Sequence, residues 1–264
     1  MIAFLRIIQV ETQREWRRAR AYLVEVLADQ ALFTLGFLLL SGLLRVVAGE
    51  AYDSGARLAS LVGFLTWRVA DGCLLRLTQS LTEDAQWGTL EQLWLTTVSP
   101  HVILLARALT IFLYFIGRAL LIAAVVLPVL RLRPVFAPGA LLIFMLAEIG
   151  AVGVAFLIAG LHLVYKNVAS LTLAFSTALL FLSGGLAPLD NAPILYGLSR
   201  VLPLTIGMNL LRQMLVEGAS LAALLGQGEF YWLLVNTAAY ALIGWLVLEW
   251  GQRAARQHGS LAHY

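Results

Sequence analysis

The chain has 264 residues, 61% of them hydrophobic and 12% charged, with a mean hydropathy of +0.86, whereas a soluble domain carries about 25% charged residues. An ordinary soluble enzyme is therefore excluded, and most of the apolar surface must face lipid or other membrane helices. The 18 basic and 15 acidic residues leave a net +3, with Lys166 the sole lysine; the arginines are scattered through apolar segments, which argues against a nucleic-acid partner.

The first element predicted is an amphipathic helix over residues 1–26. Leu5, Ile8, Thr12, Trp16, Ala19 and Leu23 recur at spacings of three or four, while Arg6, Gln13, Arg14, Arg17, Arg18 and Arg20 occupy the remaining surface, the pattern of a helix lying in the membrane interface. The arginines follow an apolar beginning, the reverse of a cleavable signal peptide, so this segment is expected to be retained. A crossing of about 30 Å needs about 20 mainly apolar residues. Six stretches meet this: Leu27 to Val47, Leu58 to Ser80, Val102 to Leu130, Ala140 to Tyr165, Asn167 to Ala187 and Phe230 to Trp250. The fifth and sixth are the cleanest. The second is the weakest, because Arg68, Asp71 and Arg76 each cost about 2.5–3.5 kcal/mol at a helix centre, so it needs protein neighbours. Arginines before span one, and Arg253 and Arg256 after span six, place both termini and the 251–264 tail in the cytoplasm; Arg131 and Arg133 then fall outside. Cys73, the single cysteine, cannot form an internal disulfide.

Two connections exceed what a turn requires. Between spans two and three, a short cytoplasmic helix is predicted near 88–98. Thr89 as N-cap and Gln92 form a capping box, Glu91 suits the positive first turn, and Leu90, Leu93, Trp94 and Thr97 share a face. Ser99 and Pro100 then cap and start the next helix. Such a helix lies on the membrane or enters a groove on a soluble partner. The second connection, near 184–226, is broken by Gly184, Gly185, Pro188, Pro193, Gly197 and Pro203, yet stays apolar. Broken apolar backbone at membrane depth must lie against protein or a water-filled cavity. A pair of short re-entrant helices is expected; the alternative is a surface loop with one amphipathic helix, Leu204 to Glu217.

The run Gly88-Thr89-Leu90-Glu91-Gln92-Leu93, followed by Thr96 and Val98-Ser99, resembles the coupling-helix segment of the ABC-2 family, the six-helix membrane subunits of type V ABC exporters. The order of parts along the chain is also similar, and Gly184-Gly185-Leu186-Ala187-Pro188-Leu189, Leu202-Pro203-Leu204-Thr205 and Leu211-Arg212 resemble the family's re-entrant region. The chain departs from the family in having Ala85, Gln86 and Trp87 where basic residues are usual. The resemblance implies an all-α permease of six spans, without catalysis of its own, moving a lipid-like, amphipathic drug-like or lipid-linked substrate out through the inner membrane. It implies dimerisation with a second copy or a homologous permease. Gly88, Thr89, Leu90, Glu91, Leu93 and Trp94 would couple it to ABC ATPase subunits.

No cofactor is expected on this chain. A phosphate-binding Gly-x-x-x-x-Gly-Lys-Ser/Thr loop is missing, since Lys166 follows His162-Leu163-Val164-Tyr165; ATP and Mg would belong to the partner ATPase. Substrate-path candidates are Arg68 and Asp71, three apart on one helix face, and Glu148 in span four. Arg68 and Asp71 read first as a structural ion pair that fixes helix packing, and Glu148 as a hydrogen-bonded neutral carboxyl or a proton-coupling site. Of Arg107 and Arg118, about 16 Å apart along span three, one is expected to snorkel and the other to need a partner. Alternative functions are a channel or scaffold without ATP coupling and, more remotely, an intramembrane hydrolase, for which Ser183 and His162 are the available pair but no zinc motif exists.

Overall fold

The computed structural model describes residues 2–87, 89, 99–165, 168–187 and 193–257. Its elements are α1 (Ile2–Ala21), α2 (Leu23–Ala48), a 3-10 turn (Gly49–Ala51), α3 (Ser54–Gln86), α4 (Pro100–Val129), α5 (Ala140–Tyr165), α6 (Ala169–Leu182), α7 (Pro193–Ser199), α8 (Thr205–Leu215), α9 (Leu221–Leu225) and α10 (Gly228–Gln257). The described residues thus form an all-helical fold. The helices α2, α3, α4, α5 and α10 are long and apolar enough to cross a membrane.

The helix with the poorest hydropathy is the best covered. In α3, 89% of the most apolar window is buried, against 17% in α2. Charges in α3 are tolerated because α4, α5, α6 and α8 pack around it. By contrast, Leu32, Leu35, Leu39, Leu43 and Val46 of α2 are exposed, an apolar face that the rest of the chain leaves uncovered.

The pair α5 and α10 has the most extensive contact in the fold, and the reason lies in four glycines. Gly153 and Gly160 on α5, and Gly244 and Gly251 on α10, recur at seven-residue spacing, which keeps them on one seam. A Cβ on Gly244 would lie 2.0 Å from the carbonyl oxygen of Gly153, and one on Gly251 2.2 Å from that of Gly160. Only glycine lets the two backbones approach so closely. The Thr237 hydroxyl adds a hydrogen bond to the Leu146 carbonyl at 2.9 Å.

Two expectations need correction. The fifth span, expected over Asn167 to Ala187, is a helix of 14 residues, Ala169–Leu182, about 21 Å long at helical rise. It ends early because Gly184 adopts φ +74 and the Gly185 amide returns to the Leu180 carbonyl at 2.9 Å, a glycine-terminated helix cap. Apolar composition extended the reading past that cap. The second correction concerns Ser99, which stands at the N-cap of α4 ahead of Pro100 but makes no side-chain cap bond. Its hydroxyl lies 3.3 Å from His101 Nδ1 instead.

The α8 part of the broken connection is buried, whereas Ile194 and Leu198 of α7 are exposed. Thr205, Ile206, Met208, Leu210, Leu211, Arg212 and Met214 of α8 are all buried, against α3, α5 and α10. Buried Arg212 donates from Nε to the Ala59 carbonyl at 2.9 Å and from Nη2 to the Gly184 carbonyl, so one side chain fastens α8 to α3 and to the end of α6. At the start of α10, the Asn236 amide reaches the carbonyls of Arg200, Val201 and Leu202 at 3.0, 3.0 and 3.3 Å. The Tyr196 hydroxyl donates to Glu229 at 2.5 Å, and partial burial together with this bond pushes it up to about 12.

Candidate functional site

The site is built from where α3 ends. The Thr89 amide and hydroxyl both donate to the Asp84 carbonyl, at 2.9 and 3.2 Å, and the hydroxyl lies 3.4 Å from Asp84 Oδ1. Thr89 is therefore bound back onto the last turn of α3. Its expected capping partner Gln92, and the coupling candidates Gly88, Leu90, Glu91, Leu93 and Trp94, lie outside the described residues.

Asp84 leads into a seam of charges. Its carboxylate accepts from Arg14 at 2.7 Å and from Arg107 at 2.6 Å. Arg107 is 1% exposed and also reaches Glu11 at 3.3 Å and the Ser80 hydroxyl at 3.3 Å. Arg76 grips Glu15 with two bonds, 2.8 and 3.1 Å, and Glu83 at 3.2 Å, which Arg18 also meets at 3.2 Å. Thus α1 presents Glu11, Arg14, Glu15 and Arg18 inward to α3 and α4, while Leu5 and Trp16 remain exposed. The helix is amphipathic as expected, but its polar stripe is an ionic docking face for the bundle. A forked guanidinium–carboxylate pair satisfies several donors at once, which is what burial of these charges demands.

A second cluster lies deeper. Arg68 contacts Asp71 at 3.2 Å and Asp29 at 2.8 Å, and its guanidinium sits 3.9 Å from the Phe33 ring centroid. Asp71 accepts in addition from the Ser176 hydroxyl on α6. Arg118 meets Asp29 at 2.6 Å, Gln30 at 3.1 Å and the Val26 carbonyl at 3.0 Å. Both Arg107 and Arg118 are therefore buried and paired; neither snorkels, because α1 and α2 supply the carboxylates. Between the two clusters lies a cavity of about 210 Å³ walled by Glu15, Asp29, Arg68, Asp71, Arg76 and Arg118.

Of the three substrate-path candidates, Arg68 and Asp71 come together in this wall, and Glu148 does not. Glu148 on α5 is fully buried, and among the described residues neither carboxyl oxygen has a hydrogen-bond partner, so the hydrogen-bonded carboxyl expected there is not formed. Sequence reasoning missed Glu11, Glu15 and Asp29. The four-residue spacing of Glu11 and Glu15, and an acid just inside span one, were the available signals.

The remaining polar pair does not meet. His162 Nε2 lies 3.0 Å from the Thr82 hydroxyl, whereas Ser183 adjoins Gly184, which Arg212 links to Ala59. Thr82 and Ala59 stand at opposite parts of α3, about 34 Å apart at helical rise. A serine–histidine dyad cannot form across that span. No cluster of three or more potential metal ligands occurs among the described residues.

The described residues thus combine membrane-length helices, a first helix docked on the bundle by ion pairs, and a buried α8. A family model described as ABC-2 type transporter matches residues 3–216. The chain belongs to the ABC-2 type transporter family. The match takes in α1 through α8, hence both charge clusters, the 88–98 segment and the buried α8. Comparison with curated proteins finds no match. Membership makes the chain a membrane permease, the subunit of an ABC transporter that is not itself catalytic, with several membrane-crossing helices.

Proposed function

We propose that this chain is half of an ATP-driven exporter. Two copies, or one copy and a homologous permease, form the pathway, and each receives force from an ABC ATPase through the segment 88–98. The chain crosses the inner membrane six times, with α6 and its glycine cap making the fifth passage and both termini in the cytoplasm. ATP and Mg bind the ATPase. The substrate is amphipathic, either lipid-like, drug-like or lipid-linked, and passes the polar wall formed by Arg68 and Asp71.

The observation that carries this reading is the link from Thr89 to Asp84, Arg107 and Glu11, alongside which the neighbouring pair Arg76 and Glu15 lines the charged cavity. A push on the segment that begins at Gly88 reaches α1 and α4 through ion pairs of 2.6–3.3 Å. A channel or scaffold would not require a soluble partner there.

The test is the double substitution Leu93→Asp with Trp94→Asp in the complex with its ATPase. Membrane insertion is expected to persist while the ATPase no longer co-purifies in stoichiometric amount and ATP-dependent export is lost. Full export by the double variant, or an active assembly containing no ATPase, overturns the reading.

A further inference from the structure

Away from the charged seam, the fold contains an apolar groove of about 410 Å³ lined by residues that include Val69 of α3, Leu120 of α4, Leu141 and Phe144 of α5, and Leu211 and Leu215 of α8. Leu120 and Leu141 are 64% and 61% exposed, so the groove opens sideways, toward the hydrocarbon that surrounds a membrane bundle. At one end it adjoins the connection from α4 to α5. The Val135 amide donates to the Leu215 carbonyl at 2.9 Å, and Ala140, the first residue of α5, lines the groove itself.

That connection carries Arg131 and Arg133, both exposed, and among the described residues neither has an ion-pair partner. Glu217, on the turn beside Val135, is exposed and pairs with neither. Arg131 holds φ +54, the one non-glycine residue with positive φ among the described residues. Glycine would occupy this conformation without the steric cost that a side chain incurs. Phe136 is 91% exposed, which suits a loop resting at the boundary between headgroups and acyl chains. Two exposed arginines, one of them in a conformation that favours glycine, thus stand on the connection that Val135 ties to Leu215 of the groove wall.

We propose that the groove and this loop together hold one phospholipid with an anionic headgroup, an acyl chain lying along Leu120, Leu141 and Phe144 and the phosphate meeting Arg131 and Arg133. The apolar slot recognises the chain, and the two guanidinium groups, against the single carboxylate of Glu217, select a negative headgroup. This site rests only on the membrane placement of the bundle, not on ATP coupling, so it stands or falls separately from the exporter reading.

The test is native mass spectrometry of the full chain released from detergent containing equimolar phosphatidylglycerol and phosphatidylcholine of matched chains. Retention of phosphatidylglycerol is expected to exceed that of phosphatidylcholine about tenfold at low salt. Arg131→Gln with Arg133→Gln is expected to bring the ratio to about one while lipid is still retained, and Leu141→Trp to lower retention of both lipids. Equal retention by the unaltered chain, a preference that survives the double substitution, or retention indifferent to Leu141→Trp each overturns the proposal. Inorganic phosphate alone raising the melting temperature as far as phosphatidylglycerol does would show a free-anion site and overturn it also. If the double variant does not fold, a salt titration of the unaltered chain decides: the preference must fall as salt rises, and a salt-independent preference overturns it.

Discussion

Two interfaces hold this bundle together by opposite means. Where α1 meets α3 and α4, four arginines and four carboxylates interlock through Arg14, Arg18, Arg76, Arg107, Glu11, Glu15, Glu83 and Asp84. Where α5 meets α10, charge is replaced by backbone against backbone along Gly153, Gly160, Gly244 and Gly251. An ion-pair seam has several nearly equivalent pairings, since Glu83 is shared by Arg18 and Arg76, and Asp84 by Arg14 and Arg107. It can exchange partners as helices shift. A glycine seam has one register, because any slide brings side chains against backbone. The charged seam is thus a contact of shared partners, and the glycine seam a contact of one register.

The largest effect is expected from Arg107→Met, which takes from buried Glu11 its nearest cation and leaves Asp84 with Arg14 alone, and costs about 3–5 kcal/mol, read from thermal unfolding of the detergent-solubilised protein. The exchange Arg76→Glu with Glu15→Arg should recover much of what Arg76→Glu alone loses. No recovery would mean that the seam is as rigid as the glycine contact. Next, Gly244→Val forces atoms into the Gly153 carbonyl and should cost about 3 kcal/mol, visible as a lower melting temperature. Gly153→Ala added to it should deepen the loss, in contrast with the charge exchange. Glu148→Met should raise stability by about 1–3 kcal/mol, since it removes a buried carboxyl that has no partner among the described residues; a drop would show that the acid is needed for folding.

The smallest effect concerns Tyr196. An unfolded tyrosine ionises at about 10, and in the fold this hydroxyl is held up to about 12. Its contribution is thus complete below pH 10 and disappears as pH climbs toward about 12. Tyr196→Phe should flatten the alkaline loss of stability in that window, and an unchanged alkaline profile would remove the Tyr196–Glu229 contact from the forces that hold α7 to α10.

Much of this was readable from residue order. The positions of α2, α3, α4, α5 and α10 follow from length and hydropathy, and the need of α3 for neighbours from Arg68, Asp71 and Arg76. The Arg68–Asp71 pair follows from helical spacing. What spacing along one helix cannot reveal is the partner on another. Asp29, Glu11 and Glu15 became informative only once folding set α1 and α2 against α3 and α4. The heptad of Gly153 and Gly160 and its counterpart in Gly244 and Gly251 were visible as letters, but a missing side chain acquires meaning only from the backbone that fills its place. The shortness of α6 was hidden by apolar residues that continue past Gly184, where the chain is no longer helical.

The equal numbers of positive and negative groups in the seam at α1 have an electrical consequence. Carrying one elementary charge through a membrane potential of 100 mV involves about 2.3 kcal/mol, comparable with the strength of a buried contact. A cluster whose eight charges cancel can be displaced as a unit with almost no work against that field. A movement of this framework would therefore cost the same in energised and de-energised membranes.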